Sequence, residues 1–191
     1  MPWWGILLIV LGAFLLIGLI VAIWWIATYN KLIRKGNNVD EAYSTMDVYM
    51  KKRYDLIPNL VETVKGYTKH EGETLENVMK ARYASMMAKN PEEKAHSENL
   101  LAGTLKSLFK VTENYPNLKA DSHYTQLMNS LHSIEAEIAS SRKYYNGTVK
   151  DFNNTFATFP SNIVARKHKF EKRVLFEISD PVERENPRIK F

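Results

Sequence analysis

The side chains of this chain that could do chemistry are charged and amide groups set into otherwise apolar seams. Arg53 occupies an apolar-repeat position, and Asp55 and Asn59 stand one turn apart around Pro58. Further along, Glu135, Arg142, Asn146 and Asn153 follow one another at steps of seven, four and seven residues, which places them on one stripe of a helix. A carboxylate such as Asp55 or Glu135 beside the Arg142 guanidinium would serve acid–base chemistry if a concave pocket held the groups together and displaced their pKa values. Buried without a pocket, the same groups must pair with one another, because an isolated charge in a packed core is costly. Two uses therefore fit the stripe: an internal polar network that fixes helix register, or a surface for a partner.

No stronger constellation competes with it. His70, His96, His123, His132 and His168 are scattered with no i,i+4 pair, and there is no His-Glu-x-x-His zinc motif. The span Gly66 to Gly72 has the wrong length for a phosphate-cradling loop. Cysteine is absent, which removes thiolate chemistry and disulfides and suits a reducing compartment. The expectation is a protein that is not an enzyme, with no metal, no cofactor and no small-molecule substrate. Net charge is +5, partly from Arg166, Lys167, Lys169, Lys172 and Arg173. That cluster suits anionic lipid or a solvated surface. Nucleic acid is not an expected partner, for no nucleic-acid module motif accompanies it.

The elements that must carry these residues begin with an anchor. The first thirty residues hold no charged side chain, and Ile6 to Ala27 is almost wholly apolar. About 22 residues of helix span roughly 33 Å, enough to cross a bilayer core. Trp3 and Trp4 mark one end; Trp24, Trp25 and Tyr29 mark the other, where amphipathic rings settle among headgroups. Lys31, Arg34 and Lys35 follow at once. With no basic residue before the run and no Ala-x-Ala after it, a retained membrane helix is favoured over a cleaved signal. The basic flank places the N-terminus outside and the rest in the cytoplasm, at the cell membrane, by the positive-inside rule.

Beyond the anchor the apolar positions step by three and four. Gly36-Asn37-Asn38 reads as a break, with Asn38 and Glu41 as a capping box opening a new helix. Its seam is Val39, Tyr43, Met46, Met50, Arg53, Ile57, Leu60, Val64 and Tyr67, with a bend expected near Pro58. A second stretch, from about Thr74 to Lys89, puts Leu75, Val78, Met79, Arg82, Tyr83 and Met86 on one side. Asn90-Pro91-Glu92-Glu93 starts a third, carrying Leu101, Leu105, Leu108, Thr112 and Tyr115. After a loop at Asn117–Ala120, Asp121 caps a long helix whose seam runs from Tyr124 through Phe152 and Thr155 to Phe159. A short helical piece is expected from Ser161 to about Phe176. No stretch reads as a strand. The fold class is all-α: an N-terminal transmembrane helix followed by an antiparallel up-and-down four-helix bundle. A single broken middle helix is the other arrangement the lengths allow.

Several of these residues together resemble the bacterial LemA family. They are Tyr29-Asn30, Val39-Asp40-Glu41-Ala42, and Lys52-Arg53-Tyr54-Asp55-Leu56-Ile57-Pro58-Asn59-Leu60-Val61. Val64-Lys65-Gly66-Tyr67 with His70-Glu71, Tyr115 to Ala120, Arg142 with Tyr145-Asn146, Phe152-Asn153 and Phe159 to Asn162 complete the resemblance. Tyr43 departs from it, standing where the family pattern suggests Trp, and keeps an aromatic ring in the seam. The resemblance implies a single-pass bacterial membrane protein with a LemA-like cytoplasmic helical bundle, and supplies no reaction.

The organisation expected is an anchor over residues 1–30, a basic linker over 31–38, a bundle over 39–176 and a flexible tail over 177–191. The function expected is a membrane-anchored scaffold whose partners are the lipid bilayer and either further copies of itself or another membrane protein. The alternative is an adaptor or regulator of a membrane protease or envelope stress-response system.

Overall fold

The computed structural model describes residues 3–177, and the tail beyond Glu177 lies outside that range. Six helices follow in order: α1 (Trp3–Tyr67), α2 (Gly72–Met87), α3 (Pro91–Thr112), α4 (Pro116–Lys119), α5 (Ser122–Ala157) and α6 (Ser161–Lys167). No strand occurs among the described residues. The described residues divide into two compact units, one of residues 3–41 and 147–173, the other of residues 42–146 and 174–177.

In the second unit α1, α2, α3 and α5 alternate in direction. Tyr43 meets Tyr145, Arg53 meets Glu135 and Tyr67 meets Asp121, so α1 and α5 run antiparallel. Asp47 with Lys94 and Arg53 with Glu98 advance together, so α3 runs parallel to α1. The turn Ala88–Asn90 returns α2 into α3, and the two pack on each other, which settles the middle helices as a hairpin. The turn is capped as its residues dictate: Asn90 Oδ1 accepts from the Glu93 amide at 2.8 Å, and Glu93 accepts from the Lys89 amide at 3.0 Å. Asp121 caps α5 through the amides of His123 and Tyr124. The interior is Met46, Met50, Ile57, Leu60, Val64, Val78, Leu101, Leu105 and Leu108, all nearly inaccessible to water.

Pro58 sits inside α1, which continues through it. Proline has no amide hydrogen, so the carbonyl four residues earlier, on Tyr54, loses its helical donor. Arg82 of α2 supplies one instead, its Nε donating to the Tyr54 carbonyl at 2.6 Å.

The first unit holds the apolar start of α1, the end of α5, α6 and an extended segment after it. Its interior includes Leu32, Val39, Val149, Phe152, Val164 and Ala165.

Four local expectations need correction. Gly36-Asn37-Asn38 is helical, not a break, and no new helix starts at Asn38. The residues cost about 0.5–1 kcal/mol each in a helix, but the apolar seam continues across them from Leu32 through buried Gly36 to Val39. Tyr83 and Met86 point outward; the buried face of α2 is Leu75, Val78, Ala81 and Ser85, and Tyr83, midway between the last two, falls on the opposite side. Phe159 leaves the α5 seam because the helix ends at Ala157, and the residue before a proline is pushed from helical geometry. The helix begun at Ser161 stops at Lys167, not near Phe176: Lys169 adopts φ 54°, and the chain beyond it is extended. The loop expected at Asn117–Ala120 overlaps the single turn of α4, which begins at Pro116.

Candidate functional site

Two groups of side chains stand out, and only some of the polar residues singled out from the sequence fall within them. The first lies in the interior of the second unit. Arg53, on the apolar seam of α1 and 3% exposed, sends one guanidinium nitrogen to Glu98 of α3 and the other to Glu135 of α5, the latter at 2.7 Å. Glu98 also accepts from the Tyr54 hydroxyl. Beside it the Lys94 ammonium donates to the Ser85 carbonyl at 3.2 Å, pairs with Asp47 at 3.2 Å, and lies 5.4 Å from the Tyr54 ring centre. Burial pushes the Tyr54 phenol well above its ordinary value, aided by the Asp47 charge and opposed by Arg53. The phenol therefore stays neutral and donates. Burial, with Asp47, raises Tyr43 as well. Two guanidinium nitrogens and the ammonium thus face three carboxylates, with only Glu135 and Asp47 substantially open to water.

The four residues of the α5 stripe do not share one network. Glu135 goes inward to Arg53. Asn146 and Asn153 act as amide clamps on extended backbone. In the second unit Asn146 donates to the Phe176 carbonyl at 3.0 Å and accepts its amide at 2.8 Å, while the Tyr145 hydroxyl holds the Val174 carbonyl. In the first unit Asn153 does the same to Arg173, at 2.8 and 2.9 Å. Each side-chain amide satisfies a backbone donor and acceptor as a neighbouring strand would. Arg142 is half-buried and has no hydrogen-bond partner among the described residues, and Asp55 and Asn59 lie exposed on α1.

Glu98, Lys94, Tyr54 and Asp47 were missed as site residues. A signal for two of them was present: carrying the Leu101–Leu105–Leu108 seam backwards by three and then four lands on Glu98 and Lys94, both buried.

The second group lies in the first unit, where the apolar stretch of α1 ends. From Ala13 to Ile23 every α1 residue is exposed; Trp24 and Trp25 are half-buried, and Thr28 and Leu32 are covered. His168 fits against this end. It accepts from the Trp25 indole at 3.2 Å, and its ring centre lies 4.6 Å from that of Tyr29. Phe170 then lies between Tyr29 and Phe152. Of the interface residues expected, Lys35 pairs with Asp151, Lys31 and Arg34 are exposed, and Trp3 and Trp4 stand open at the helix start. An open cleft of about 380 Å³ lies between Gly36, Asp40, Phe152 and the segment Lys169–Arg173. Arg173 pairs with Asp40 at 3.2 Å on its wall. No cluster of metal-ligating side chains occurs among the described residues.

α1 carries a stretch long and apolar enough to cross a membrane, and none of it is buried among the described residues. Compared with known proteins, residues 42–191 match the LemA family. A curated relative, Protein LemA of Metamycoplasma hominis, is 28% identical over 162 residues, covering 82% of this chain and 72% of the relative.

Proposed function

This chain belongs to the LemA family, and from that membership we propose that it is a membrane-anchored helical scaffold without catalytic activity of its own. The apolar part of α1 spans the bacterial cytoplasmic membrane, with the N-terminus outside and the helical bundle in the cytoplasm. The observation that carries this reading is where the polar groups point. Arg53, Glu98 and Lys94 are buried, Arg53 paired with Glu98 and Glu135, and Lys94 with Asp47 and the Ser85 carbonyl, all within the same set of helices. That supports a framework more than a reaction centre.

The outer face of α2 carries exposed apolar side chains. Tyr83 and Met87, one helical turn apart on α2, are 61% and 55% exposed, and Met86 adds to them. Met and Tyr at helical spacing suit contact with another helix, and confinement to the bilayer raises the effective concentration of copies, so weak lateral contacts suffice for assembly.

Crosslinking the full chain in native membranes tests this. Self-assembly gives a ladder or one discrete oligomer, weakened by Tyr83→Ser with Met87→Ser. Monomer at every crosslinker level, with no other protein attached, refutes it. A discrete adduct with a different membrane protein would favour the adaptor or regulator role instead.

A further inference from the structure

We propose that the corner between α5 and α6 is a second membrane contact. Phe159 and Ile163 seat in the same bilayer face that Trp24 and Trp25 mark, and Arg166, Lys167 and Lys169 bind its anionic phospholipid headgroups. The inference rests on the reading of the apolar part of α1 as a bilayer span, and it holds whichever way that span points.

Asp151 of α5 pairs with Lys35. Seventeen residues later the chain reappears at His168, hydrogen-bonded to Trp25 and stacked near Tyr29. Trp25 is ten residues, about 15 Å of helix, nearer the apolar end of α1 than Lys35. From His168 the chain turns back, through Phe170 beside Tyr29 to Arg173 beside Asp40. Among the described residues, the turn at Thr158–Pro160 and α6 are therefore the part of the C-terminal chain that reaches closest to the span. Trp24 and Trp25, where aromatic rings settle at the headgroup level, set the depth.

Phe159 is 74% exposed and Ile163 49%, although both lie in a segment that has interior available: Val164 and Ala165, adjoining Ile163, are fully buried. Water is a poor medium for a phenyl ring left that open, and the bilayer interface beside it is a good one. Arg166, Lys167 and Lys169 are exposed and have no ion-pair partner among the described residues. An apolar pair followed by a basic cluster is the arrangement of a segment that dips into an anionic bilayer surface.

The chain has no cysteine, so Phe159→Cys, Ile17→Cys and Tyr83→Cys each carry an environment-sensitive dye at one place. The full chain is reconstituted in vesicles of phosphatidylcholine alone or with phosphatidylglycerol, with nitroxide-labelled lipids as quenchers. The dye at position 17 reports the span and that at position 83 the bundle surface. Each Lys or Arg near an anionic surface shifts the docked ratio by about fivefold, so three shift it on the order of a hundredfold. The expected result is quenching at position 159 in phosphatidylglycerol vesicles, lost on replacing Arg166, Lys167 and Lys169 together with Gln, while position 83 stays in water. Quenching at 17 with none at 159 overturns the proposal and leaves the anchor intact. Quenching at 159 that ignores both lipid charge and the triple substitution overturns the role of the basic side chains. No quenching at 17 refutes the anchor and the proposal with it.

Discussion

Replacing Arg82 with methionine isolates the device that lets a proline stand inside α1. In a regular helix the amide of residue 58 would donate to the carbonyl of Tyr54. Pro58 has no such amide, and Arg82 Nε takes its place at 2.6 Å. Tyr54 is 3% exposed, so water is a poor substitute. A hydrogen bond from a charged donor to a buried carbonyl contributes about 1.5–3 kcal/mol. Arg82 is only half-buried, which favours the lower end, about 1.5–2 kcal/mol. Methionine keeps most of the apolar stem, so lost packing adds little. With Pro58→Ala already present, the restored amide serves the carbonyl and the same Arg82→Met change costs about 0.5 kcal/mol or less. The two substitutions are thus coupled by about 1–1.5 kcal/mol. Thermal unfolding of the full chain in detergent, followed by circular dichroism, reads this directly. At about 2–4 °C per kcal/mol, Arg82→Met lowers the midpoint by roughly 3–8 °C in the parent chain and by at most about 2 °C in the Pro58→Ala background. Additivity within about 0.5 kcal/mol would refute the reasoning.

The interior ion pairs should divide by burial: Arg53→Met leaves the Glu98 carboxylate, 7% exposed, without its main cation and costs about 3 kcal/mol, whereas Glu135→Gln, at 41% exposure, costs under about 1 kcal/mol. Equal costs in the same melts would show that Glu98 is not the buried partner. Burial raises the Tyr54 phenol, so its contribution is fully present below the ordinary tyrosine value of about 10 and is lost as pH rises through that value toward the higher folded one. The stability difference between the parent chain and Tyr54→Phe should therefore shrink above about pH 10, and a constant difference across that range contradicts the burial argument. Asn153→Ala frees the Arg173 amide and carbonyl; amide hydrogen exchange at Arg173 should quicken while that of Leu105, in the other unit, does not change. Asn90→Ala removes the cap of α3 and should cost about 1 kcal/mol, and a loss of less than a few tenths would mean that the Lys89–Glu93 bond suffices to hold the turn.

Much of the fold was legible because apolar periodicity and capping are local. Leu101, Leu105 and Leu108 lie three and four residues apart, and Asn90-Pro91-Glu92-Glu93 names a helix start from its own side chains. Local signals erred where tertiary packing outweighed them. Gly36-Asn37-Asn38 carries every mark of a break, yet a helix with Leu32 and Val39 on its buried face runs through it. Phe159 fits the α5 period and falls out of it because the helix ends two residues earlier.

The polar residues were visible as anomalies, but their partners were not, and the reason is distance along the chain. Arg53 stands out in an apolar seam, but Glu98 and Glu135 lie 45 and 82 positions away on two other helices. Pro58 announces a missing donor; only the packed α2 shows that Arg82 fills it, 28 residues from Tyr54. Asn146 and Asn153 look like members of one stripe with Glu135, yet they hold backbone at Phe176 and Arg173. In the segment from Arg53 to Pro58, the arginine, the tyrosine and the proline each leave a group of α1 that only a neighbouring helix can satisfy, so their partners lie inward on the same chain. Under the proposed scaffold role, exposed side chains outside this pairing, Tyr83 and Met87 among them, are where a partner would bind.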